Sequence, residues 1–186
     1  MEFNLNEEEK KTLLRAARGA IRFTFKKTEE DSSEKITDIT ENLKTPCGAF
    51  VTLTIKGALR GCIGYVEPDS PLINTVILAA KAAAFRDTRF LPLSKNELDE
   101  IQIEISVLTP SAPVASYRDI VIGKHGIAMS KYGRHALFLP QVAPERGWDI
   151  ATTLTHLSMK AGLSPDDWRE GAEFEVFEAL VFGEGE

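Results

Sequence analysis

The stretch Leu59-Arg60-Gly61-Cys62-Ile63-Gly64 sets a thiol between two glycines on a β-rich segment. Glycine weakens a strand interior, so a pair of them points to a bulge or to close approach of another backbone or a ligand. In an ideal strand Arg60 and Cys62 face the same side. That places a guanidinium beside the sulfur, where a positive charge favours the nucleophilic thiolate. The plainer account of the same residues is a buried cysteine acting as a small hydrophobe, with the glycines relieving a tight hairpin.

Other chemistries lack their residues. There is no Gly-x-x-x-x-Gly-Lys-Ser/Thr loop, no Gly-x-Gly-x-x-Gly turn before a helix, no His-Glu-x-x-His, no Cys-x-x-Cys and no Gly-x-Ser-x-Gly elbow. Cys47 and Cys62 lie far apart without local companions, so no metal site is assigned and no cofactor is specified. The 22 basic and 28 acidic residues leave a formal charge of −6, which runs against nucleic-acid binding as the main task. No apolar run approaches the roughly 20 residues of a membrane span. The first residues, Met1-Glu2-Phe3-Asn4, lack the basic and apolar regions of a signal peptide, and two cysteines make no disulfide framework. The expectation is a cytoplasmic protein that does not enter the membrane.

The elements that must position the thiol can be read in order. Asn6 and Glu9 have capping-box spacing ahead of a helix whose buried stripe is Leu14, Ala17, Ile21 and Phe25. Arg15, Arg18, Arg22 and Lys26 form a second stripe, read as a solvated flank or an anion-binding edge. Residues 28–44 read as a polar connector with one helical turn. Residues 49–55 and 59–66 read as a hairpin across Lys56-Gly57. Ser70 as N-cap and Pro71 at the first helical position open a largely apolar helix to Ala84. Residues 101–107 alternate as a half-buried strand with Gln102, Glu104 and Ser106 on the wet face. Short strands follow at 120–122, 126–130 and 135–139, the last two joined by the loop Lys131-Tyr132-Gly133-Arg134. A helix at 148–161 stops at Gly162, a further turn opens at Ser164-Pro165, and one closing strand spans 174–182. Strands adjacent in sequence favour an α+β fold, an antiparallel sheet flanked by helices, over residues 1–186 as a single domain.

Several segments together resemble the AMMECR family. They are Cys47-Gly48-Ala49-Phe50-Val51, the Leu59–Gly64 motif, Ala84–Phe90, Ile103–Val107, His125-Gly126-Ile127, Leu139–Ala143 and Gly147-Trp148-Asp149, in that order along the chain. The resemblance covers about three quarters of the chain. It implies an α+β fold of two closely joined lobes with a cleft between them, and an association with Memo-type and radical-SAM-type proteins. It brings no established reaction. The segments that carry it supply a candidate site: Cys62 as nucleophile, His125 as general base or thiolate partner, and Glu104 to orient the imidazole. Arg60, Gly61, Gly64, Arg86, Asp87, Arg89 and Gln141 would bind a small anionic substrate, Arg60 and Arg89 by bidentate contacts. Each has a structural alternative. Arg86 follows a helix end, Asp87 can pair with Arg89, His125 can face solvent in a turn, and Glu104 can be the wet face of its strand. Glu145 can cap the next helix, and Trp148, His135 and His156 read as structural. The functional readings are therefore two: a small enzyme or enzyme component built on Cys62, or a recognition module that binds a partner protein, an anionic ligand or nucleic acid through the same glycine turn.

Overall fold

Asn6 accepts the amide of Glu9 at 2.9 Å, and the Glu9 carboxylate accepts the amide of Asn6 at 2.9 Å. This capping box opens helix α1, Glu7–Thr24, as its spacing predicts. Leu13, Ala16, Ala17 and Ile21 bury one face of α1, with Leu14 and Phe25 packed at its margin. Helix α2 is the short turn Glu41–Lys44. Strands β1 (Ala49–Ile55) and β2 (Ala58–Tyr65) form the expected hairpin, and helix α3 spans Leu72–Phe85. Strand β3 is Ile101–Leu108.

The computed structural model describes residues 4–25, 39–66 and 69–185; Lys26 and residues 28–38 of the expected connector lie outside them. The chain divides into two compact units, Met1–Leu108 with Leu180–Glu186, and Thr109–Ala179. Each holds a four-stranded antiparallel sheet, so the α+β class stands, with two sheets in place of one.

In the first unit the strand order is β2-β1-β3-β8, with β8 at Ala179–Gly183. Ala49, Val51 and Leu53 of β1 and Ile101, Ile103, Ile105 and Val107 of β3 are buried in one cluster with α1 and α3. Three local expectations change. Pro71 occupies the N-cap of α3, with ψ 142°, and the helix begins at Leu72. Ser106, expected on the wet face, is buried. Arg18 is neither a solvated flank nor an anion edge. Its guanidinium binds the Glu184 carboxylate and the carbonyls of Leu98 and Ile101 at 2.9 and 2.8 Å. Glu184 in turn accepts the Ile103 amide at 3.0 Å, which ties the chain's end to the helix and sheet.

The second unit has β4 (Ala112–Val114), β5 (Gly126–Lys131), β6 (Arg134–Phe138) and β7 (Glu173–Phe177) in the order β4-β7-β5-β6. Helices α4 (Val142–Arg146) and α5 (Ile150–Lys160) complete it. Ile127, Met129, Leu154, Leu157, Trp168 and Phe174 are core. Lys131 pairs with Arg134, so the expected four-residue loop is a two-residue turn, Tyr132-Gly133, both with positive φ. No strand forms at 120–122, because Val121 donates its amide to His125 Nδ1 instead of to a ladder. Pro113, which breaks the sequence pattern, sits in β4 on the sheet's edge, where a missing donor is tolerated. The helix expected at 148–161 starts at Ile150 and is capped by Asp149, whose carboxylate accepts the Thr152 amide at 2.7 Å; Glu145 belongs to α4. The single closing strand is two, β7 and β8, one in each sheet.

Candidate functional site

Register on β1 builds the site. Thr52 is opposite Cys62 on β2 and, on its other side, opposite Glu104 on β3. Since Val51 and Leu53 point to the helices, Cys62, Thr52 and Glu104 form one row across the sheet's other face. The Thr52 hydroxyl donates to Cys62 Sγ at 3.3 Å. Cys62 is half-buried and Glu104 exposed.

Arg60 does not join this row. The β1–β2 register shifts between Leu53 and Thr54, leaving Arg60 as the extra residue of a bulge. Its guanidinium pairs with Glu97 through Nε at 2.7 Å and Nη2 at 3.1 Å, and donates to the Leu91 carbonyl at 2.9 Å. Only 16% of its side chain is exposed. The Arg60 bond, helped by the Ser94 amide, pulls the Glu97 pKa down to about 2. The same-face arrangement expected of an ideal strand fails because the bulge adds a residue.

Arg89, not Arg60, is the guanidinium that reaches Cys62, through its main chain. Its Nε and Nη2 donate to the two oxygens of Asp87 at 2.9 and 2.7 Å, and Nη2 also reaches the Cys62 carbonyl at 3.3 Å. Asp87 Oδ2 accepts the Cys62 amide at 2.9 Å. These bonds, the Arg89 guanidinium foremost, hold the Asp87 carboxyl well below the usual carboxylate range. Arg89 is raised in turn, first by Asp87 and in smaller part by the nearby Cys62. Asp87 is buried, whereas 56% of the Arg89 side chain is exposed. One buried carboxylate therefore presents an outward cation at the Cys62 main chain.

The glycines of the motif serve packing. A Cβ on Gly61 would collide with the main-chain oxygen of Ala83 on α3, and one on Gly64 with the Phe50 ring. Arg86 is the C-cap residue of α3, its amide bonded to the Ala82 carbonyl at 2.8 Å. His125 and Gln141 belong to the second unit, His125 accepting from Val121 and Gln141 standing at the N-cap of α4. A triad of Cys62, His125 and Glu104 is thus not assembled within either unit. A cleft of about 680 Å³ in the second unit runs past Pro113, Tyr117, Trp168 and Glu173, and none of the sequence-derived site residues lines it. Among the described residues no group of three or more His, Cys, Asp or Glu side chains is placed to hold a metal ion.

Sequence reasoning missed Thr52 and Glu97. Strand alternation could have put Thr52 on the outward face, but its neighbours follow only from register. Glu97 stands at capping-box spacing from Ser94, whose amide it accepts at 2.8 Å, but its pairing with the distant Arg60 has no signal in the sequence.

A chain with this α+β pair of sheets belongs to the AMMECR1 family, whose model matches residues 14–182. It is similar to a Methanosarcina acetivorans protein, 48% identical over 144 residues that cover 75% of this chain and 72% of that one. A Methanosarcina mazei protein is 39% identical over 191 residues, covering 98% and 94%. The crystal structure of the uncharacterised protein PH0010 from Pyrococcus horikoshii matches with a TM-score of 0.82 at 37% identity, covering 93% of this chain and 90% of that one. Among the described residues no helix is long and apolar enough to cross a membrane.

Proposed function

We propose that the outward face around Cys62 is the working site of a small enzyme or enzyme component that acts on an anionic substrate. Cys62 is the nucleophile: its sulfur attacks an acyl or phosphoryl centre and expels the leaving group with the thiol proton, and water then releases the acyl or phosphoryl group and restores the thiol. Arg89 is the anchor for the substrate's carboxylate or phosphate. The observation that supports this reading is the exposed Arg89 guanidinium, oriented by Asp87 and bonded to the Cys62 carbonyl. Thr52 holds the sulfur from the neighbouring strand, and Glu104 extends the polar row. Arg60, committed to Glu97, takes a structural part.

The test is alkylation of Cys62 in a Cys47→Ala background with iodoacetate and iodoacetamide, which differ in charge. Arg89→Gln is expected to lower the iodoacetate-to-iodoacetamide rate ratio by about fivefold, because a local cation attracts the anionic reagent. An unchanged ratio removes the anchor. A thiol that reacts with neither reagent until the protein unfolds removes the nucleophile.

A further inference from the structure

Phe50 of β1 is opposite Gly64 of β2, two residues along from the pair Thr52–Cys62 and on the same face of the sheet. Ala49 and Val51 fill the core on the other face, and among the described residues Phe50 is part of neither hydrophobic core. A large apolar ring is thus half-buried on the face that carries the candidate nucleophile. The working site described above gives it no task.

The absent side chain of Gly64 fixes how that ring lies. A Cβ on Gly64 would stand 2.3 Å from both Cδ1 and Cγ of Phe50 and 2.7 Å from Cδ2. A point at the rim of a six-membered ring cannot be so near three consecutive atoms, so the ring lies face down on the Gly64 main chain. Its other face is turned away from the sheet. Cys62 and Gly64 are two residues apart on β2, which puts their Cα atoms about 7 Å from each other. The Thr52 hydroxyl holds the sulfur on this side of the strand. Thiol and ring therefore stand side by side on one surface, the ring flat and the thiol next to its edge.

We propose that Phe50 is a specificity-determining residue of the Cys62 site: the outward face of its ring stacks a planar aromatic or heteroaromatic portion of the substrate, whose electrophilic group meets the thiol. This rests on the reading of Cys62 as the nucleophile and narrows its substrate to a planar, anion-bearing molecule. A phenyl ring makes no strong hydrogen bond, so it selects by shape, and flat groups gain more from it than puckered ones of the same bulk. Gly64 takes the part of a seat, because any larger residue there lifts the ring.

The experiment compares two neutral reagents of similar bulk, N-phenylmaleimide, which is flat, and N-cyclohexylmaleimide, which is puckered. Their rates with Cys62 are measured on the full chain carrying Cys47→Ala, and the phenyl-to-cyclohexyl ratio is divided by that for glutathione. The expected preference for the flat reagent is about fivefold. Phe50→Leu, which keeps an apolar side chain, should bring the corrected ratio close to that of glutathione itself. Phe50→Tyr, which keeps the ring, should retain the preference. A parent chain without the preference, a Phe50→Leu chain that keeps it, or a Phe50→Tyr chain that loses it overturns the platform and leaves Cys62 as nucleophile. A thiol that reacts with neither reagent until the protein unfolds overturns the platform and the nucleophile together.

Discussion

Cys62 and Asp87 are joined through the main chain: the Cys62 amide donates to Asp87 Oδ2 at 2.9 Å. With Arg89 on the Cys62 carbonyl, a carboxylate–guanidinium pair occupies the edge of β2 where another strand would otherwise dock. The two side chains that orient the candidate thiol therefore also close the sheet.

Asp87→Ala should destabilise the first unit by about 2 kcal/mol, because it leaves the Cys62 amide and the Arg89 guanidinium without their acceptor. Arg89→Gln, at an exposed side chain, should cost under about 1 kcal/mol. Urea unfolding of the two variants checks the ranking. Equal costs would mean that the edge is held by something else.

Acid should weaken the fold in a defined window. Asp87 is held below the ordinary carboxylate range, and Glu97 is pulled to about 2. Free carboxylates titrate near about 4, so below about pH 5 the unfolded chain binds more protons than the folded one. The contribution of both groups is complete above about pH 5 and is lost as pH falls through the folded pKa. Melting temperatures taken between pH 6 and 2 should drop, and Glu97→Gln should drop less steeply. Parallel curves would refute the Arg60–Glu97 account.

Gly61→Ala and Gly64→Ala separate two kinds of crowding. The added methyl at position 61 meets the Ala83 main-chain oxygen, which can yield only if α3 moves, whereas at position 64 it meets the Phe50 ring, which can rotate. Thermal or urea unfolding should show a loss of about 2–3 kcal/mol for the first and about 1 kcal/mol for the second. The reverse order would contradict the packing of β2 against α3.

Thr52→Val removes the hydroxyl that donates to Cys62 Sγ and keeps the branched shape that suits a strand. The hydroxyl orients the sulfur, so alkylation of Cys62 at neutral pH should slow by about threefold, with Thr52→Ser near the parent rate. Stability should change by less than about 1 kcal/mol. An unchanged rate would leave Thr52 as a packing residue.

What the sequence determined by itself is local. The Asn6–Glu9 box, the alternation of β3 and the β1–β2 hairpin are set by bonds and periodicities that span a turn or a neighbouring strand. Tertiary structure alone decided the partners. Arg60 turns to Glu97, 37 residues on, and Arg89 reaches back 27 residues to Cys62. Thr52 meets Glu104 through sheet register, and the closing segment divides between two sheets. A period of two predicts which face a side chain takes only while the count is unbroken. One bulged residue at Arg60 breaks it, and which guanidinium meets Cys62 follows from that break and from the loop after α3 folding back onto the edge of β2.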